Sequence, residues 1–242
     1  MHKSCAKTRN SIAERGNLVI FTYVLPMGKT ITLEAIILNT HDVGEADRFC
    51  ILFTKERGKI AARARSVRKL TSKMGGSLLP LQHIKLQVRE GSAGYMISDV
   101  QKISLFDCKD ITAFLNAQQG IELLLNTLHD EEPMADLFEA THTFLEQCSA
   151  GNDQCVLPFT IRLLKILGLL PEASNAYFQQ CSDTQKEFLT LAAQGSWKDL
   201  PELSDHDRKV FSGLCAKLLS EISSRPLRAG SVVSDVKNAC AL

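Results

Sequence analysis

The sequence contains none of the short patterns that place a catalytic group beside its activator. It has no G-x-S-x-G elbow, no H-E-x-x-H, no Walker loop and no G-x-G-x-x-G. Its six histidines (His2, His41, His83, His129, His142, His206) are scattered, and none stands beside an obvious nucleophile. No catalytic residue and no cofactor are therefore expected; an enzyme with an unfamiliar site is the remaining catalytic alternative. No apolar run approaches the roughly 18 residues of a membrane span, so no membrane partner is expected. Among eight cysteines no pair is spaced C-x-x-C. Cys50, Cys148 and Cys215 sit inside apolar or helical patterns, which reads as reduced thiols in a cytoplasmic protein. Internal repeats and low-complexity tracts are also absent.

Charge is what the chain has, and it is concentrated. Eight of the nineteen residues from Lys55 to Lys73 (KERGKIAARARSVRKLTSK) are basic and only Glu56 is acidic. That strip carries a formal +7, against +1 for all 242 residues. A cationic strip on a near-neutral protein is neutralised by solvent or by a polyanion, and nucleic acid is the commonest polyanion in a cell. Aromatic residues, which would stack on splayed bases, are scarce in the strip, favouring backbone contact over base reading.

The first half patterns as β. Thr32–Thr40, Arg48–Thr54, Lys59–Ser66, Leu81–Arg89 and Tyr95–Phe106 read as five short strands. His41–Asp47 reads as a polar turn, and Lys55–Gly58 as a tight hairpin with Gly58 at positive φ. In Leu81–Arg89, Ile84, Leu86 and Val88 share one face, while His83, Lys85, Gln87 and Arg89 share the other. Five such strands suit a small closed barrel of the OB type. From Asp110 the apolar spacing turns helical: Phe114–Leu128, Met134–Cys148, Cys155–Pro171 and Ser204–Ile222 read as helices. Pro158 lies in the first turn of the third, and Ser204 caps the fourth. The fold class is thus α+β, β then α: an N-terminal five-stranded OB-type barrel followed by an all-helical C-terminal domain. The expected divisions are a non-essential, disordered extension at 1–26, an OB-fold domain at 27–108 that carries the nucleic-acid-binding strip, and a helical domain at 109–242. Lys3, Lys7, Arg9 and Arg15 before the apolar stretch Leu18–Pro26 superficially suggest a signal peptide. However, no small-residue cleavage site follows, and Met27 precedes the first well-patterned segment.

Lys59, Arg63 and Arg65 occupy odd positions opposite Ile60, Ala62 and Ala64, so they should project from one face. Arg68, Lys69 and Lys73 continue into a loop where Thr71, Ser72 and glycine N–H groups could add neutral bonds to phosphate. His41, Asp42, Glu45 and Asp47 read as a solvated loop held by local hydrogen bonds rather than a metal site. Cys181, alone in its loop, cannot close a four-ligand zinc site. Arg162 and Lys165, at i and i+3, either line a groove for an acidic–aliphatic peptide or are solvent-facing positions of an amphipathic helix.

The stretch from Glu34 to Leu81 resembles the RecO family of bacterial recombination mediators. The resemblance rests on EAIIL (Glu34–Leu38), GEADR (Gly44–Arg48), LFTKERGKI (Leu52–Ile60) and ARSVRKLTSK (Ala64–Lys73). RLLKILGLLP (Arg162–Pro171) is similar to the family's helix ending in Leu-Gly-x-x-Pro, and RPLR (Arg225–Arg228) to its closing basic element. Ser66 stands where the family usually has glycine, and Leu70 where proline is common. Many relatives carry a four-cysteine zinc module after the Leu-Gly-x-x-Pro helix; only Cys181 lies there, so no metal is expected. The resemblance implies a non-catalytic protein that binds single- and double-stranded DNA, anneals strands, and works with RecR. It also implies binding to the acidic C-terminal tail of single-stranded DNA-binding protein, assistance to RecA on gapped DNA, and a cytoplasmic, nucleoid-associated location. Charge and resemblance together assign DNA binding to Arg48, Lys55, Arg57, Lys59, Arg63, Arg65, Arg68, Lys69, Ser72 and Lys73, and the partner peptide to Arg162 and Lys165. An RNA-binding OB module is the alternative, since charge does not distinguish DNA from RNA.

Overall fold

The apolar run Ala35–Leu38 lies in strand β1 (Thr30–Val43) and is buried on both sides. Leu33, Ala35 and Ile37 point into a barrel, whereas Ile36 and Leu38 pack outward against helices. A strand covered on both faces has no reason to alternate apolar with polar. The structure, a computed structural model, describes residues 29–171, 178 and 181–221. The extension 1–26 and the RPLR element fall outside those residues.

Strands β2 (Asp47–Thr54), β3 (Gly58–Ala64), β4 (Gln82–Gly91) and β5 (Gly94–Leu105) complete the sheet. Their order is β1-β2-β3-β5-β4, and β4 returns to β1, closing the ring. All pairings are antiparallel except β3 with β5. This is the five-stranded OB arrangement. Register shifts at Ile37/Asn39, His83/Ile84 and Gln87/Val88 give the strands the bends that closure needs. The turn after β1 is shorter than His41–Asp47, because pairing with β2 continues to Val43 opposite Asp47.

Among the described residues five helices follow: α1 (Ile111–Thr127), α2 (Ala135–Ser149), α3 (Val156–Ile166), α4 (Asp183–Gln194) and α5 (Asp205–Ser220). Asp110 caps α1 and Ser204 caps α5, each side chain accepting a backbone N–H from the first turn. Pro158 sits in the first turn of α3. Helix α4 was not expected from periodicity. Its signal is local: Ser182 and Gln185 form a reciprocal capping box, and Gly195 closes the helix at φ 82°. Cys50, Cys148 and Cys215 are buried; burial pushes the thiols of Cys50 and Cys215 up to about 11 and about 12.

Besides the core inside the barrel, a second apolar core is shared by the two halves. Ile36, Leu38, Phe53, Leu81 and Phe106 from the barrel side join the helices' Leu124, Phe138 and Phe144. His83 shows the consequence. It lies on the outward face of β4, as its alternation predicts, but α2 covers that end of the strand and leaves it 6% exposed. Its Nε2 lies 2.8 Å from Glu34 Oε1, and its ring meets Phe106, Phe138 and His142. Polar backbone bonds add to the junction. Glu131 N–H donates to the Lys59 carbonyl, and Gly58 lies so close to the Glu132 backbone that a Cβ would sit 1.9 Å from its carbonyl oxygen.

Candidate nucleic-acid interface

The basic strip begins on a hairpin whose turn is held by Thr54. Its hydroxyl donates to the Gly58 carbonyl at 2.9 Å and accepts from Arg57 N–H at 3.0 Å. Gly58 takes φ 66°, a conformation that suits glycine. Along β3 the burial alternates as the sequence predicts, with Ile60, Ala62 and Ala64 inward and Ala61 and Arg63 outward. Beyond Ala64 the chain turns through Ser66 and runs over the end of the barrel to Gly75.

Half of the strip's charge is met by acids within the protein. Lys59, 16% exposed at its side chain, lies 3.2 Å from Asp130 and donates to the Leu128 carbonyl at 2.6 Å, tying β3 to the end of α1. Lys55 pairs with Glu139 of α2, and that contact raises its pKa. Arg63 donates through Nε and Nη2 to one oxygen of Asp47, at 2.9 and 2.6 Å. Arg68 pairs with Asp42 at 3.2 Å and donates to the Gly44 carbonyl. Arg48, outside the strip, also pairs with Asp42 and donates to the Leu78 carbonyl at 2.9 Å, anchoring the loop from beneath.

The acidic turn is thus the loop's internal counterion. Asp47 receives Ser66 N–H at 2.7 Å as well as Arg63. Those two donors, the backbone one foremost, hold its carboxyl below the usual carboxylate range. The local hydrogen bonding expected of His41–Asp47 is present, but it is directed at the basic loop rather than confined to the turn. Among the described residues no group of three or more histidines, cysteines or carboxylates could hold a metal ion. Cys181 stands alone, so these residues do not fit a four-cysteine zinc site.

Arg57, Arg65, Lys69 and Lys73 are exposed and form no ion pair among the described residues. They do not make one surface. Arg57 is at the hairpin tip, and β3 separates it from the other three by about 20 Å. Arg65, Lys69 and Lys73 share the loop, with Arg63 and Arg68 half-exposed beside them. Ser72 is half-buried and accepts Met74 N–H at 3.3 Å, which shapes the loop's second bend. Leu70, between the lysines, is fully exposed.

Phe49, which the sequence reading passed over, belongs to this surface. It faces outward between His41 on β1 and Arg63 on β3, in one row across three strands. Its signal was the alternation of β2, where Cys50 and Leu52 fill the barrel and Phe49 and Ile51 must point the other way.

Arg162 and Lys165 come together at a cleft of about 430 Å³ between α3 and α4. Leu170, Pro171, Phe178 and Leu189 supply its apolar surface, and Lys186 adds a third cation. Arg162 is half-buried and donates to the Ala193 carbonyl at 2.6 Å; Lys165 is exposed.

The Recombination protein O N-terminal family model matches residues 27–106, and its C-terminal counterpart matches residues 108–224. The DNA repair protein RecO of Heliobacterium modesticaldum is 33% identical over 167 residues, covering 68% of this chain and 59% of that protein. Its namesake from Nocardioides sp. is 30% identical over 171 residues, covering 67% and 66% of the two chains. The Syntrophotalea carbinolica protein of that name is 31% identical over 201 residues, covering 80% and 78%. The matches to the first two span less than two thirds of those relatives' length. Two adjoining family models follow the barrel and the helices in chain order, and with these relatives they show that the chain belongs to the Recombination protein O family.

Proposed function

We propose that this chain serves DNA repair and recombination as a mediator without catalytic turnover, binding single- and double-stranded DNA through the loop from Arg65 to Lys73. The observation that carries this reading is the set Arg65, Lys69 and Lys73: three exposed cations on one loop that form no ion pair among the described residues, Arg65 acting on Asp47 only at longer range. Unpaired cations gain most from phosphate, because they surrender no internal partner on binding. Arg63 and Arg68 lie beside them with pairs that phosphate can replace. Annealing requires two phosphate backbones to be screened together, and a cationic loop at the end of a barrel can meet strands from two sides. The family relationship adds RecR as a co-worker and RecA as the protein whose loading on gapped DNA is assisted.

The α3–α4 cleft is the proposed seat for the acidic C-terminal tail of single-stranded DNA-binding protein. Aliphatic side chains would occupy the Leu170, Phe178 and Leu189 surface, and carboxylates would meet Arg162, Lys165 and Lys186. The test is salt-titrated binding of labelled oligonucleotides. Replacing Arg65, Lys69 and Lys73 with alanine should lower the slope of log affinity against log salt by about 2 for single strands. An unchanged slope in a folded variant refutes the DNA site. Equal-length DNA and RNA strands, compared in the same titration, decide against an RNA-binding module if ribose gives no advantage.

A further inference from the structure

We propose that the cleft between the outer face of β1–β3 and helix α1 is a nucleobase subsite for an unpaired strand, with Phe49 as its stacking ring. This rests on the DNA-binding reading above and specifies which part of the strand the barrel face holds. The cleft has a volume of about 820 Å³, within the range of small-ligand sites. Phe49, Ile51 and Ala61 form its barrel side, and Leu125 and Asn126 form the α1 side.

Three observations point to bases rather than phosphates inside. First, Phe49 is 36% exposed and belongs to neither buried core, so folding does not account for the ring. Second, Ala61 is an exposed strand residue opposite Ile51, and its small side chain leaves the cleft open where a larger one would fill it. Third, the polar groups within suit base edges better than phosphate. Asn39 and Asn126 offer neutral amides, the cation Lys59 is already matched by Asp130, and the Glu122 carboxylate on α1 repels phosphate but can accept from a base amine. The exposed cations lie outside the cleft lining instead: Arg63 is directly across from Phe49 in the sheet, and Arg65 follows two residues later in the chain.

An unpaired nucleic-acid strand has this same division, with apolar, amide-bearing faces on one side and charge on the other. A duplex keeps its bases stacked within and cannot offer them. The subsite therefore discriminates unpaired from paired DNA, while the loop cations attract both.

The experiment measures binding of single-stranded and duplex oligonucleotides by wild type, Phe49→Leu, Phe49→Trp and Ala61→Leu at several salt concentrations. Phe49→Leu keeps apolar area but removes the ring. It should weaken single-strand binding about tenfold at fixed salt, leaving the salt slope and duplex binding unchanged. Phe49→Trp should retain affinity and show quenched indole emission when the strand binds. Ala61→Leu should reproduce the loss by filling the cleft, and it serves in place of Phe49→Leu if that variant melts early. Unchanged single-strand affinity in both Phe49→Leu and Ala61→Leu overturns the subsite and leaves the loop reading intact. An equal fall for duplex and single strand also overturns it, as does an altered oligomeric state in Ala61→Leu without a change in strand affinity. Wild-type protein that binds neither strand form overturns the proposed function and this inference with it.

Discussion

Lys59 and Arg65 stand six residues apart on the same hairpin arm and carry the same charge, yet they meet opposite surroundings. Lys59 reaches Asp130 and the Leu128 carbonyl, so its charge is used to fasten barrel to helices. Arg65 is exposed and forms no ion pair among the described residues, adding only longer-range attraction to Asp47, so its charge is available to a ligand. A cation placed near a domain junction finds carbonyls and acids at helix ends, whereas one on the loop whose Val67 packs into the barrel core is left at the surface. The same charge therefore serves cohesion at one end of β3 and is left exposed at the other.

The largest expected effect comes from attacking the junction. Gly58→Ala places a Cβ in the Glu132 backbone and forces alanine to a φ of 66°. Backbone on both sides leaves little room to yield, so a loss of about 3 kcal/mol or more is expected in chemical denaturation. Lys59→Met should follow with about 1–3 kcal/mol, because the Leu128 carbonyl loses a charged donor. Neither should lower the salt slope of DNA binding at temperatures where the variant is folded. If Lys59→Met flattens that slope as much as Arg65→Ala, the division between the two ends of β3 is wrong.

How far the sequence revealed this follows from the range of each interaction. Strand positions, the Gly58 turn, the inward face of β3 and the caps Asp110 and Ser204 depend on neighbours a few residues away, and spacing exposes them. The pairing of Asp42 with Arg68 and of Asp47 with Arg63 joins segments sixteen or more residues apart. A linear count assigned +7 to one segment and left the acids in another, so it could not see that folding brings them together. His83 was placed on the right face but not under α2, since alternation reports which side a residue is on and not what covers that side. Helix α4 was missed because its apolar residues are few. Its capping box was nonetheless readable, with serine and glutamine three apart.

The acidic turn offers a sharper test of the comparison, since it can transfer a cation from one class to the other. Asp47→Asn should release Arg63 from its pair and steepen the salt slope for duplex DNA by up to about 0.9. Protonation should do the same at low pH. The Asp47 carboxyl titrates below its ordinary value, so its contribution to stability is present above that value and is lost as pH falls through the depressed one. At neutral pH the pair is therefore intact, and only the asparagine variant should reveal a freed Arg63. An unchanged slope in Asp47→Asn would mean that Arg63 already exchanges Asp47 for phosphate in the complex.

The smallest effect concerns Ser66, where the loop leaves β3. Its φ of 54° lies in the left-handed region, which costs a residue with a Cβ roughly 1–2 kcal/mol. Glycine would remove that cost but would lose more freedom on folding, by about 0.5–1 kcal/mol, so the two effects partly cancel. Ser66→Gly should raise stability by no more than about 1 kcal/mol, read as a small upward shift of the denaturation midpoint. Its backbone N–H would still reach Asp47, and no cation is altered, so the salt slope should stay where it is. A lowered midpoint would show that the serine side chain itself holds the turn. A flattened slope would show that the direction in which the loop leaves the barrel, and not only its charge, determines which phosphates Arg65 and Lys69 can reach.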